Sequence, residues 1–305
     1  MPTIDKASVR IELKGILSFL AMSMPSLVSG GEPSVAAGSA HALRFSSPES
    51  VLSGEVSVIR LAISPDGDHQ LWGEPQGQEN GGLNIRRRHK SGTGWDDPED
   101  VPFNTQWNDF DPAFTPDGSG VYFFSNRPGG EGGDDIWFVP ASSDGWGDPV
   151  NIGPPVNTPG NEWAPTPLAD GRLMLSSDGH AGFGGQDLYI AEQNAGGWSI
   201  PQNLGSPVNS DADDYDAVFL DEDALVFTRS EDPESGSDLY YSCRLKGAFT
   251  EPRSAGPNVN LGGGWALGPS VSELHPGVLF FSGRDPNESS TRIYRVQYEG
   301  DCSAR

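Results

Sequence analysis

Cysteine is almost absent from this chain: Cys243 and Cys302 are the two in 305 residues, too few for a disulfide-built scaffold. They leave room for one bridge or for two inert thiols. Cys302 lies in the tail, so a bridge requires the tail to fold back toward Cys243. Basic side chains are scarce as well, 19 against 43 acidic ones, for a net charge of −24. Without a basic surface to release counterions, nucleic acid is a poor partner. The one dense basic run, Arg86-Arg87-Arg88-His89-Lys90, reads as an exposed strand face, with a small anion site as its alternative. The five histidines, His41, His69, His89, His180 and His275, lack metal-ligand spacing, and no zinc site or other cofactor is expected. A nucleophile elbow, a phosphate loop and a dinucleotide fingerprint are all missing.

Long apolar runs are missing too. Gly15 to Val28 is the one candidate, and it is too short and too interrupted by Ser, Met and Pro25 to cross a bilayer. Lys6, Arg10 and Lys14 precede it and small residues follow at 34–40, the order of an export signal. Residues 1–40 are therefore expected to be an export segment and leader. That places the remainder, 41–305, outside the cytoplasm, in the periplasm or the extracellular space.

What the chain has in abundance is repetition. Trp95, Trp146, Trp198 and Phe249 stand 51, 52 and 51 apart, and the turn residues Asp66, Asp117, Asp170 and Asp221 stand 51, 53 and 51 apart. An Asp-apolar-aromatic triplet keeps the same period at Asp135-Ile136-Trp137, Asp187-Leu188-Tyr189 and Asp238-Leu239-Tyr240. A repeat of this length, built of short strands between Gly-rich turns, is the mark of a propeller. The 40 Gly and 26 Pro then read as hairpin punctuation rather than disorder, as in Pro116-Asp117-Gly118. The expected fold is all-β: a five-bladed β-propeller of four-stranded antiparallel blades. Trp146 and Trp198 are expected to be buried anchors of the outer strands. The fifth repeat ends after three strands, which would leave an open edge. Ala42 to Ser46 alternates and could supply the missing outer strand, closing the ring by joining the two ends of the chain.

The blocks Asp111-Pro112-Ala113-Phe114-Thr115-Pro116-Asp117-Gly118, Tyr122-Phe123-Phe124-Ser125-Asn126-Arg127 and Asp135-Ile136-Trp137 resemble the WD-like propeller repeat of the TolB type, found in exported bacterial proteins. The likeness covers about residues 55 to 298. It implies a docking platform, a sensor or an accessory domain, although the six blades and the separate N-terminal domain of the TolB protein are not expected here.

Loops entering each first strand, and loops between second and third strands, crowd one mouth of a propeller's channel. Here they carry Asn108-Asp109-Phe110-Asp111, Asn161-Glu162-Trp163-Ala164, Asp213-Asp214-Tyr215-Asp216 and Gly263-Gly264-Trp265-Ala266. Arg127, His180, Arg229 and Arg284 stand at the ends of second strands. The expected ligand site is Asp109, Arg127, Glu162, Trp163, His180, Asp214, Arg229, Trp265 and Arg284. Stacking faces beside hydrogen-bonding charges suit a protein or a neutral or cationic glycan. The alternatives are packing between blades for the aromatics and mutual pairing for the charges. No catalytic residue is assigned under this binding reading, and a monomer is expected. The competing reading is a glycoside hydrolase with Asp109, Glu162 and Asp214 as funnel carboxylates. Ca²⁺ could sit in the acidic Gly-rich loop at 129–135, a weaker expectation because the alternating Asp ligands of a calcium loop are missing.

Overall fold

The computed structural model describes residues 42–75, 82–142, 145–232, 235–300 and 302. The leader at 1–40 lies outside them. The described residues form five antiparallel sheets arranged as a five-bladed propeller. Blade 1 is built from Ile59–Ile63, His69–Pro75 and Leu83–Ser91; blade 2 from Asp109–Phe114, Gly120–Ser125 and Asp135–Ser142. Blade 3 uses Glu162–Pro167, Arg172–Ser177 and Asp187–Asn194, and blade 4 uses Asp213–Asp221, Ala224–Ser230 and Asp238–Leu245. Ala266–Ser270, Val278–Gly283 and Arg292–Glu299 make blade 5. The second strands read as near-continuous apolar runs, Val121-Tyr122-Phe123-Phe124 for example, because both faces of a blade are covered by its neighbours.

In blades 1 to 4 the fourth strand is split into two two-residue pieces, such as Gly145–Trp146 and Val150–Asn151, both paired with the third strand. Trp146 and Trp198 are half-buried rather than buried. Trp146 lies 5.6 Å from Phe103 and 6.1 Å from Phe114, and Trp198 lies edge-on to Tyr122 of the preceding blade. A two-residue strand at the rim has no sheet on its outer side, so one face of each indole meets solvent.

Closure comes from the N-terminal end. Arg44 and Phe45 pair with Glu299 and Tyr298, and Glu49, Ser50 and Leu52 pair with Arg295, Tyr294 and Ile293. Blade 5 thus gains its fourth strand from the other end of the chain. Cys243, on the third strand of blade 4, is bridged to Cys302 beyond blade 5, so the tail does fold back across the blade boundary. The core lies between blades: Leu71 and Ile85 of blade 1 meet Val121 and Phe123 of blade 2, while Val226 and Leu239 of blade 4 meet Leu279 and Phe281 of blade 5. Among the described residues no helix is long and apolar enough to cross a membrane.

Every innermost strand carries a bulge at the equivalent position. There the backbone takes positive φ at Arg60, Asp111, Ala164, Asp216 and Gly268, with values from 45° to 59°. Such angles are uncommon outside glycine, and an extra residue at a bulge re-aims the side chain. In a ring of five blades this is the position that faces the common axis.

Candidate functional site

The loop before a first strand is held by an asparagine. Asn104, Asn157, Asn209 and Asn260 recur at 53, 52 and 51 residues. Each donates to the backbone carbonyl, and accepts from the backbone N–H, of the apolar residue in the preceding blade's triplet: Ile85, Ile136, Leu188 and Leu239. These clamps escaped the sequence reading, although Phe103, Val156, Val208 and Val259 stand before them on the same period.

One turn further on, the acids of the expected mouth complete the same loops. Asp109 accepts from the Thr105 N–H and hydroxyl and is paired with Arg127. Glu162 accepts from the Thr158 N–H at 2.9 Å and hydroxyl at 2.7 Å, and from the Ser177 hydroxyl at 2.9 Å. Asp214 accepts from the Ser210 N–H and hydroxyl, both at 2.8 Å, and pairs with Arg229 at 2.6 Å. All three carboxylates are fully buried. Burial pushes Glu162 and Asp214 above the usual carboxylate range, against the pull of their hydrogen bonds.

The arginines are held as firmly. Arg127 also donates to the Phe103 carbonyl and lies over Phe123 and Trp137; Arg229 donates to the Val208 carbonyl and lies over Phe227 and Tyr240. His180 replaces the cation in blade 3, with its ring nitrogen 3.0 Å from the Val156 carbonyl oxygen. Trp163 is half-buried and donates to Asp134 at 2.9 Å. Blade 5 has no acid at that position, and there Arg284 lies over the Trp265 ring while donating to the Gly263 carbonyl. The nine residues therefore come from three repeat positions, the entry acid, the aromatic beside it and the end of the second strand, but most of their polar atoms face their own loops. In the acidic loop at 129–135, Asp135 accepts from the Glu131 N–H. Among the described residues no three His, Cys, Asp or Glu side chains are grouped to hold a metal ion.

A second constellation lies on the axis, at the bulges. Arg60 Nη2 donates to the Pro165 carbonyl at 2.8 Å and the Thr166 hydroxyl at 2.6 Å, and its Nη1 is 4.0 Å from Asp216 Oδ1. Asp216 Oδ2 accepts from the Gly268 N–H at 3.0 Å. Asp111 is the third ionisable group. Desolvation, with the nearby Asp216 carboxylate second and Arg60 opposing, pushes it up to about 8. The motifs containing Asp111 and Asp216 are visible in the sequence, but the residues chosen from them stand two positions earlier. The bulge that turns positions 111 and 216 inward leaves no sequence mark, because the five equivalent residues are Arg, Asp, Ala, Asp and Gly.

Beyond Arg60 the channel widens to a cavity of about 780 Å³. All five blades line it, through the ends of their first strands and the turns that follow, and Arg60, Phe114, Thr166, Leu220 and Leu274 are among the contributors. It therefore opens at the opposite end of the channel from the starts of the first strands, where Asp109, Glu162 and Asp214 stand.

No family model matches the chain, and no curated protein matches it. Solved structures do. TolB from Acinetobacter baumannii superposes with a TM-score of 0.52 at 14% identity, over 81% of this chain and 56% of that one. The chain thus spans little more than half the length of that protein. The catalytic domain of the Coprinopsis cinerea GH62 α-L-arabinofuranosidase gives 0.53 at 11% over 85% and 97% of the two chains. The endo-arabinase from Bacteroides thetaiotaomicron VPI-5482 gives 0.52 at 11% over 83% and 97%. The likeness is one of fold. At these identities it carries neither activity nor site.

Proposed function

We propose that this chain is an exported, non-catalytic recognition propeller of the TolB type, which binds a glycan or an exposed peptide at its axial channel. One observation carries the reading: the three carboxylates that a hydrolase would draw from successive blades, Asp109, Glu162 and Asp214, are buried and bonded to their own loops and to Arg127, Ser177 and Arg229. A general acid or nucleophile must reach substrate. Export is supported by the signal-like leader and by a disulfide, which persists in oxidising compartments.

A specific observation favours a second reading. Asp111 and Asp216, from two blades, share the axis, and burial beside Asp216 pushes Asp111 up to about 8, the direction a glycosidase's general acid requires. The test is release of reducing ends from arabinan, xylan and β-glucan, with binding to the same polymers measured in parallel. Binding without turnover supports recognition; turnover abolished by Asp111→Asn supports hydrolysis.

A further inference from the structure

The axial cluster stands at the inner end of a cavity, and its hydrogen-bonding capacity is not filled. Arg60 is 3% exposed and Asp111 7%. Among the described residues Arg60 Nη1 and Asp111 Oδ1 have no hydrogen-bond partner. Buried polar atoms left in that state are rare and call for a reason. Strain is present at the same two residues, since both hold positive φ. Arg60 and Thr166 line the cavity, and the wall above them is largely apolar, with Phe114, Leu220 and Leu274.

We propose that this cavity, at the turn-side end of the channel, is a saccharide site in which a neutral sugar presents a hydroxyl to Arg60 and a C–H face to Phe114 and the leucines. The inference rests on the recognition reading above and adds the ligand's class and place. Charge decides against the alternatives. An anionic ligand would meet five carboxylates in the cavity wall, among them Asp170 and Glu273, against three arginines, on a chain of net charge −24, and an ammonium would meet Arg60 at the inner end. Arg60 Nη1 lies 4.0 Å from Asp216 and has no hydrogen-bond partner among the described residues, and a hydroxyl oxygen is an acceptor that completes it without adding a charge. A cavity of about 780 Å³ is within the usual range for small-ligand sites.

The experiment is calorimetric titration of the full chain at pH 7 with cellotriose and arabinotriose as neutral probes, and with a galacturonic acid trimer and a glucosamine trimer as charged ones. At least one neutral trisaccharide should bind about tenfold more tightly than either charged trimer, a difference of about 1.4 kcal/mol. Leu274→Trp, at a rim position that is 47% exposed and so tolerant of substitution, should weaken that binding about tenfold or more. Arg60→Lys should do the same, while Trp163→Ala at the opposite mouth should not. Absence of neutral binding at about 10 mM, preference for a charged trimer, or indifference to Leu274→Trp would overturn the proposal. Loss on Trp163→Ala alone would keep the recognition reading and move its ligand to the other mouth. Hydrolysis of a trisaccharide would end the non-catalytic reading while leaving the site where it is.

Discussion

At the scale of single residues, the strongest structural statements concern side chains that complete backbone pairing. Asn157 is 2% exposed and satisfies both the N–H and the C=O of Ile136. Asn157→Ala would orphan two buried backbone groups, so it should cost about 2–4 kcal/mol in urea unfolding; a cost under about 0.5 kcal/mol would show that water replaces the clamp. Asp111 makes a prediction in pH. Its folded pKa, about 8, lies above the unfolded value near 3.8, so between those values the folded state holds a proton that the unfolded chain has released. Stability from this group is complete at low pH and is lost as pH rises toward 8. Melting of Asp111→Asn against the unsubstituted chain should show the variant gaining relative stability from pH 5 to pH 8; a constant difference would contradict the assignment. Asp109, Glu162 and Asp214 were legible as a repeat position. Their partners Thr105, Thr158 and Ser210 were not, because hydroxyl residues four positions ahead of an acid are common in any loop.

At the scale of elements, closure by the N-terminal strand follows from a fifth repeat lacking its outer edge. The sequence carried this because an unpaired edge in a ring is a physical defect that a nearby alternating segment can fill. Leu43, Phe45 and Leu52 are buried in the closed ring. Removing residues 42–52 should lower the melting temperature by more than about 5 °C, given that each 1 kcal/mol is about 2–4 °C for chains of this size class. An unchanged melting point would contradict closure. The outer strands were read less well. Their period was plain, but the half-burial of Trp146 and Trp198 was not, since a Trp marks a repeat whether or not both its faces are covered. Trp198→Ala should therefore cost about 1–3 kcal/mol, less than the 3–5 of a fully buried aromatic. Between Cys243 and Cys302, 59 residues apart, the bridge closes a long loop. Cys302→Ser should cost about 4 kcal/mol by the chain-entropy argument, read as a lower midpoint in denaturant.

At the scale of the whole molecule, the fold was legible because three markers shared one period. The axial cluster and the cavity beyond it were not, because the bulged positions carry residues with no shared type. The cavity is set by how far five bulged strands stand from their axis, a distance no motif encodes. The central claim is that the carboxylates at the starts of the first strands hold the propeller together rather than act on a substrate. Denaturant unfolding of Asp214→Asn tests it most directly, because Asp214 is fully buried against Arg229 and the Ser210 loop. A structural carboxylate predicts a loss of about 3–5 kcal/mol, the cost of breaking a pair whose acid is fully buried and whose arginine is part-buried. A variant as stable as the unsubstituted chain, or more so, is what removing a strained catalytic group produces, and that result would contradict the account.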